Sequence, residues 1–313
     1  MLSLRQAVFL TTTLFVLPGL RQGGKVPSLL VEPAQLASEL KDPNLVLLYV
    51  GPDSDYAAGH IAGARFVSFF KDLAVDQTPD SLALELPSDT DLRQRLERLG
   101  IGDKSKVVVV PGVDWASPST RVVWTLQVAG LGAQTRLLNG GTLGWKRAGF
   151  PLTTAAPAPA KPGHLTLKAD RSVVVDYQWV QAHGHAPGVR ILDARSPVFY
   201  EGPGMPEHNS PGGHIPGAKN VPFNSLTDES VRFLSIDDLR KAFDAAGVQP
   251  GDTVAAYCHV GQQATVVVFS ARLLGHPARL YDGSMNEWQR RKLPLENDKP
   301  GKPEQSNPRG DGR

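Results

Sequence analysis

Short apolar runs alternate with longer segments of helical periodicity along most of this chain, and the alternation occurs twice. In the C-terminal half, VRILDA (189–194) is short and β-branched and reads as a buried strand. SIDDLRKAFDAAGV (235–248) predicts a helix, with Ser235 as its N-cap and Gly247 near its end. DTVAAY (252–257) predicts a second strand. ATVVVFSARLLG (264–275) sets Ala264, Val267, Val268 and Ala271 at helical spacing, with Gly275 as a stop. Its valine run also suits a strand; the strand before it and the closing glycine favour helix. ARLYDG (278–283) predicts a third strand. The N-terminal half follows the same order through DLRQRLERLGI, KVVVVP, TRVVWTLQVAGLG and TRLLNGG. Apolar strands alternating with helices predict an α/β fold, a mainly parallel sheet flanked by helices on both faces.

Two landmarks repeat in the same order. AAGHIAGARFVSF (57–69) matches PGGHIPGAKNVPF (211–223), and LNGGTLGWKRAGFPL (138–152) answers LYDGSMNEWQRRKLPL (280–295). The chain therefore reads as one module written twice. The expected organisation is a first copy over 33–152, an Ala/Pro linker over 153–171, a second copy over 172–295 and a polar, disordered tail over 296–313. TTAAPAPAKPGH (153–164) predicts a stiff, extended crossing between the copies.

The N-terminus breaks the pattern. Residues 1–24 carry one cation, Arg5, followed by an apolar run from about Ala7 to Leu20. That length is short for a bilayer span and suits a secretory signal, so export, to a periplasm or beyond, is expected. No clean cleavage site follows, which keeps an N-terminal membrane tether open as the other reading. Composition is globular, and a net charge of +2 provides no cationic field for nucleic acid. The Arg309-Gly310-Asp311 tripeptide in the tail is given no functional weight.

The chain has one cysteine, Cys258, in VAAYCHVGQQATVVVFS (254–270). A lone cysteine in an exported chain forms no internal disulfide, so it is either inert and buried or reactive. It falls between a predicted strand and a predicted helix, where α/β proteins place ligands. The amides and dipole of a helix start favour a thiolate over a thiol there. Gly261 lets the backbone curl around the sulfur, and the polar HVGQQ suits a loop better than a core.

Together, the two Gly-His-Ile-x-Gly-Ala repeats, the LDAR strand, the Cys-x-x-Gly loop and YDGSxxEW resemble the tandem-domain rhodaneses. These are the thiosulfate or 3-mercaptopyruvate sulfurtransferases. The resemblance spans roughly residues 33–295. It implies two rhodanese folds, catalysis in the C-terminal copy, and a cysteine that carries sulfane sulfur as a persulfide between a small donor and a thiophilic acceptor. Cys258 would be the nucleophile, and Arg195, His259, Val260, Gly261, Gln262 and Gln263 would face the substrate. The chemistry requires neither a metal nor an organic cofactor. The first copy lacks the cysteine and the Asp-x-Arg pair, reads as having a longer loop, and would wall the cleft with Trp115 or Arg121.

Individual roles stay open at this point. Arg195 matches a family arginine that helps bind the anionic donor; it equally suits a fork tying strand to loop. His259 either supplies positive charge or faces solvent. Asp193 reads as structural, His60 and His214 as a hydrogen bond shared by both copies, Trp145 and Trp288 as core. The chain also departs from the family pattern. Phe199 stands where many thiosulfate enzymes have a second arginine, Val260 replaces the serine of Cys-Gly-Ser-Gly, and Met285 replaces an aromatic residue. A persulfide carrier or sensor with little turnover is thus the alternative. A cysteine phosphatase fits poorly: Ala264 occupies the arginine position of Cys-x5-Arg, and Tyr257 replaces the usual histidine.

Overall fold

A computed structural model describes residues 28–112, 115–202, 204–205 and 210–297; the signal-like segment and the Arg-Gly-Asp tail lie outside it. Each half builds a five-stranded, all-parallel sheet. The first contains β1 (Leu30–Val31), β2 (Leu45–Val50), β3 (Arg65–Phe66), β4 (Lys106–Pro111) and β5 (Thr135–Leu138), in the order β1-β5-β4-β2-β3. The second half contributes β6 (Val174–Val175), β7 (Val189–Asp193), β8 (Gly204–Met205), β9 (Ser210–Pro211), β10 (Lys219–Asn220), β11 (Thr253–Tyr257) and β12 (Ala278–Tyr281). Its sheet runs β10-β7-β11-β12-β6, the same topology read from the other edge. β8 and β9 form a separate antiparallel pair.

The valine-rich segment is a helix, Ala264–Leu273. It carries the chain from β11 to its parallel neighbour β12, a crossover that a tight turn cannot make. The expected cap also forms: Ser235 Oγ accepts the Asp238 N–H at the start of the Ile236–Ala245 helix. Helices Ser117–Val128 and Ala264–Leu273 are buried on nearly every face, because each covers its own sheet and also packs against the other. Their contact merges the two halves into one large apolar cluster. Trp145 and Trp288 are both buried, and each indole donates to a proline carbonyl, Pro151 or Pro294.

His60 and His214 play one structural part twice. Each Nδ1 donates to a tyrosine carbonyl, Tyr56 or Tyr200, and each ring stacks on that tyrosine at 3.9 Å. Each backbone also bridges antiparallel to a later residue, His60 to Thr153 and His214 to Glu296. Glu296, placed by its polarity in the tail, is thus paired with the second half. The linker is extended but not free: Gly163 and Leu165 donate to Glu97, and Thr166 binds Asp103, so it lies along the first half. Its proline-rich backbone leaves few amides to bond; the Glu97 carbonyl accepts from Gly163, and the Glu97 and Asp103 carboxylates accept from Leu165 and Thr166.

One expectation is corrected. The first copy's loop is no longer than the second's. Pro111 stands where Cys258 does; its carbonyl accepts from the Thr142 hydroxyl, and that of Cys258 from the backbone N–H of the corresponding residue, Met285. The polar residues after Pro111 imitate a longer loop in sequence, whereas the helix starts in the same place, at Ser117 in one copy and Ala264 in the other.

Candidate active site

Cys258 directly follows β11, whose last residue, Tyr257, pairs with Asp193 at the end of β7. Its N–H donates to Ser284 Oγ at 3.1 Å, and its carbonyl accepts from the Met285 N–H at 3.0 Å. The carbonyls of His259, Gln262 and Gln263 are likewise taken, by the amides of Asn286, Thr265 and Val266. The N–H groups of His259, Val260, Gly261, Gln262 and Gln263 have no acceptor among the described residues. A run of amides whose carbonyls are turned away and whose N–H groups are unused is an anion cradle. The ten-residue helix behind it adds the positive end of its dipole.

Gly261 makes this turn possible. Its φ of +76° is in the left-handed region, and an added Cβ would lie 2.6 Å from the Asp282 carbonyl oxygen. Ser284 has the same kind of backbone, φ +50°, where the first copy has Gly141 at +52°. A serine there accepts backbone strain in exchange for the hydroxyl that holds the Cys258 amide. Sequence reasoning passed over Ser284. Its signal was the alignment of a serine with a glycine at one position of the repeated landmark.

The sulfur is less open than the sequence suggested. Cys258 is 0% exposed and borders the main apolar cluster, because the loop that curls around it also closes over it. Arg195 is equally buried. Its Nε and Nη2 donate to the Asp193 carboxylate, with Nη2 at 2.5 Å, and Nη2 also reaches the Gly213 carbonyl at 2.7 Å. This is the strand-to-loop tie. Its Nη1 is buried with no partner among the described residues, which leaves one charged donor for a ligand.

His259 is only partly exposed and is held neutral. It is half-buried, edge-on to Phe199 at 4.6 Å, and burial, aided by the Arg195 cation, pushes its pKa down to about 4. The unfolded imidazole titrates near 6.5, so between pH 6.5 and 4 the unfolded chain binds the additional proton. Stability from the neutral ring is therefore complete above pH 6.5 and lost as pH falls through that window. His259→Gln should show a smaller drop in melting temperature from pH 7 to pH 5 than the wild type. Equal drops would show that the fold does not hold this ring neutral.

Val260 is half-buried, and Gln262 Nε2 donates to Ser117 Oγ of the first half at 3.0 Å. Gln263 Oε1 is buried without a partner among the described residues. Of the two residues expected to wall the cleft, Arg121 reaches the loop, donating to the Gly261 carbonyl at 3.0 Å. Trp115 instead meets Phe223 and stays 43% exposed. A cavity of about 560 Å³ opens beside it, lined by Phe66, Phe69, Phe70, Trp115, Pro118 and, from the loop after Cys258, Gln262.

The profile of the Rhodanese-like domain matches this sequence twice, over residues 32–148 and 176–291. The chain belongs to the rhodanese-like sulfurtransferase family. It is 33% identical over 234 residues to a putative thiosulfate sulfurtransferase, SseB, of Mycobacterium tuberculosis, covering 74% of this chain and 81% of that one. It is 32% identical to a probable 3-mercaptopyruvate sulfurtransferase of Pseudomonas aeruginosa, covering 81% and 92%. A sulfur carrier protein of Thermus thermophilus, TtuD, is 30% identical, covering 84% and 94%. Among solved structures, the 3-mercaptopyruvate sulfurtransferase SseA of Escherichia coli superposes with a TM-score of 0.72 at 25% identity, covering 82% of this chain and 98% of that one. The rhodanese fold is thus present in both halves, and only the second retains a cysteine.

Proposed function

We propose that this rhodanese transfers sulfane sulfur through a persulfide on Cys258. A thiolate at Cys258 attacks the outer sulfur of thiosulfate, or the sulfur of a mercaptopyruvate-like donor, whose C–S bond then breaks so that the carbon leaves with the electron pair as an enolate and is protonated to the 2-oxoacid. With thiosulfate, the new bond is Cys–S–S⁻, the bond broken is the donor's S–S bond, and sulfite leaves with the electron pair. A thiophilic acceptor, cyanide or a thiol, then takes the outer sulfur and returns the thiolate. The observation that carries this reading is the set of unused loop amides after Cys258, which suits an anionic sulfur at both stages. Arg195 Nη1 is a second donor for an anionic group. Because the sulfur is fully buried, a donor reaches it only when the surrounding loop moves.

Intact mass spectrometry after incubation with thiosulfate or 3-mercaptopyruvate tests this. The expected result is a gain of one sulfur atom, localised to Cys258 and lost on adding cyanide. A protein that gains no sulfur from either donor would end the proposal.

The neutral loop favours one further reading, a persulfide carrier with little turnover. His259 is uncharged at neutral pH, Phe199 packs on it, and Val260, Gln262 and Gln263 bring no charge. Steady-state thiocyanate formation separates the two, since a carrier loads once and stops. Export of the protein, or tethering through residues 1–24, is supported by the apolar run there. Among the described residues no helix is long and apolar enough to cross a membrane.

A further inference from the structure

The first copy has lost its nucleophile, yet it sends a buried arginine into the catalytic loop of the second. Arg121 lies on the Ser117–Val128 helix and is 3% exposed. Its Nη1 donates to the Gly261 carbonyl at 3.0 Å and to Asp282 Oδ1 at 2.5 Å, and its Nη2 donates to the Leu84 carbonyl at 2.6 Å. Its guanidinium also sits 4.5 Å over the Trp124 ring, which fixes its plane. One planar fork thus joins the catalytic loop, the segment that follows β12 and the Leu84 loop of the first copy. Leu84 itself has a left-handed backbone, φ +59°, so that loop is held in a conformation it would not adopt alone.

A peptide unit is planar and trans, so its C=O and the next residue's N–H point in opposite directions. Arg121 draws the Gly261 oxygen out of the loop, and the Gln262 N–H, which has no acceptor among the described residues, must then face the other way. We infer that Arg121 is a positioning residue for Cys258: from the non-catalytic copy, it turns the Gly261–Gln262 peptide so that its amide completes the cradle around the sulfur. The neighbouring contacts work in the same direction. Gln262 Nε2 is tied to Ser117 Oγ, and Thr120 and Thr265 meet hydroxyl to hydroxyl at 2.7 Å across the same interface. The cationic charge is not what acts on the sulfur, since Asp282 pairs with it. Around the loop, Arg195 is paired with Asp193 and His259 is neutral, so amide orientation is the adjustable quantity.

This inference deepens the sulfur-transfer reading, but its test needs no sulfur donor. The measurement is the alkylation rate of Cys258 by iodoacetamide at pH 7 and at pH 10, followed by intact mass. Arg121→Met combined with Asp282→Asn removes the guanidinium without stranding a buried carboxylate. It should react about tenfold more slowly than wild type at pH 7, where thiolate must be stabilised by the loop, and equally fast at pH 10. Arg121→Lys keeps a cation but lacks the planar fork, and should be nearly as slow at pH 7. Equal slowing at both pH values would mean that only access had changed, and would overturn the inference. So would a double variant that matches the wild type at pH 7, or a wild type as slow there as the variant. A wild type that is alkylated rapidly yet gains no sulfur would retire sulfur transfer and leave Arg121 in its role.

Discussion

Cys258→Ser is expected to abolish sulfur transfer in a protein that still folds. Oxygen at this position is a far weaker nucleophile at neutral pH and cannot hold the transferred sulfur as a persulfide. The loss in kcat for thiocyanate formation from thiosulfate and cyanide should reach about 10⁴-fold or more, the scale seen when a covalent nucleophile is removed. The side chain is buried beside the apolar cluster but at the unused loop amides, which can bond a hydroxyl, so the substitution should cost only about 1 kcal/mol, a shift of a few degrees in melting temperature. Turnover near the wild-type rate would remove Cys258 from the mechanism, and with it the meaning assigned to the amide cradle.

Asp193→Asn should have the largest effect on stability. Asp193 and Arg195 are both fully buried, and Asp193 accepts from the Arg195 backbone as well as from its guanidinium. The asparagine would leave a buried cation without a counter-charge, which costs about 3–5 kcal/mol. Against a total stability of about 5–15 kcal/mol, this should lower the melting temperature by roughly 10 °C. Adding Arg195→Met removes the stranded charge, so the double variant should recover much of the loss. Thermal unfolding followed by circular dichroism distinguishes the three proteins. A single variant as stable as the wild type would show that the pair does not hold the end of β7 to its loop.

The duplicated fold was legible because its signals are local. β-branched runs such as VRILDA and KVVVVP, the Ser235 cap, and glycines at the ends of helices each state an element without reference to the rest of the chain. The placement of the cysteine was legible for the same reason: one cysteine between a strand and a polar loop has few alternatives. Side chains whose partners lie far along the chain were harder to read. His259 looked exposed because its neighbours in sequence are polar; it packs on Phe199, which the sequence places near the Asp-x-Arg strand. The first copy's loop looked longer because nothing in the sequence reveals that Pro111 occupies the position of the cysteine. Ser284 was hidden because its φ, not its side-chain type, makes it unusual.

The sequence by itself determined two parallel α/β modules, a single cysteine at the carboxyl edge of the second, and a loop nearly free of charge. Periodicity, glycine placement and residue type encode those features along a few consecutive positions. Only the tertiary structure decided that Arg195 is locked to Asp193 with one nitrogen left over, that Cys258 is sealed from solvent, and that Arg121 of the first copy grips the loop after Cys258. Those facts depend on burial and on hydrogen bonds between residues up to 161 positions apart. Packing of the two central helices against each other creates that geometry, and no local pattern records it.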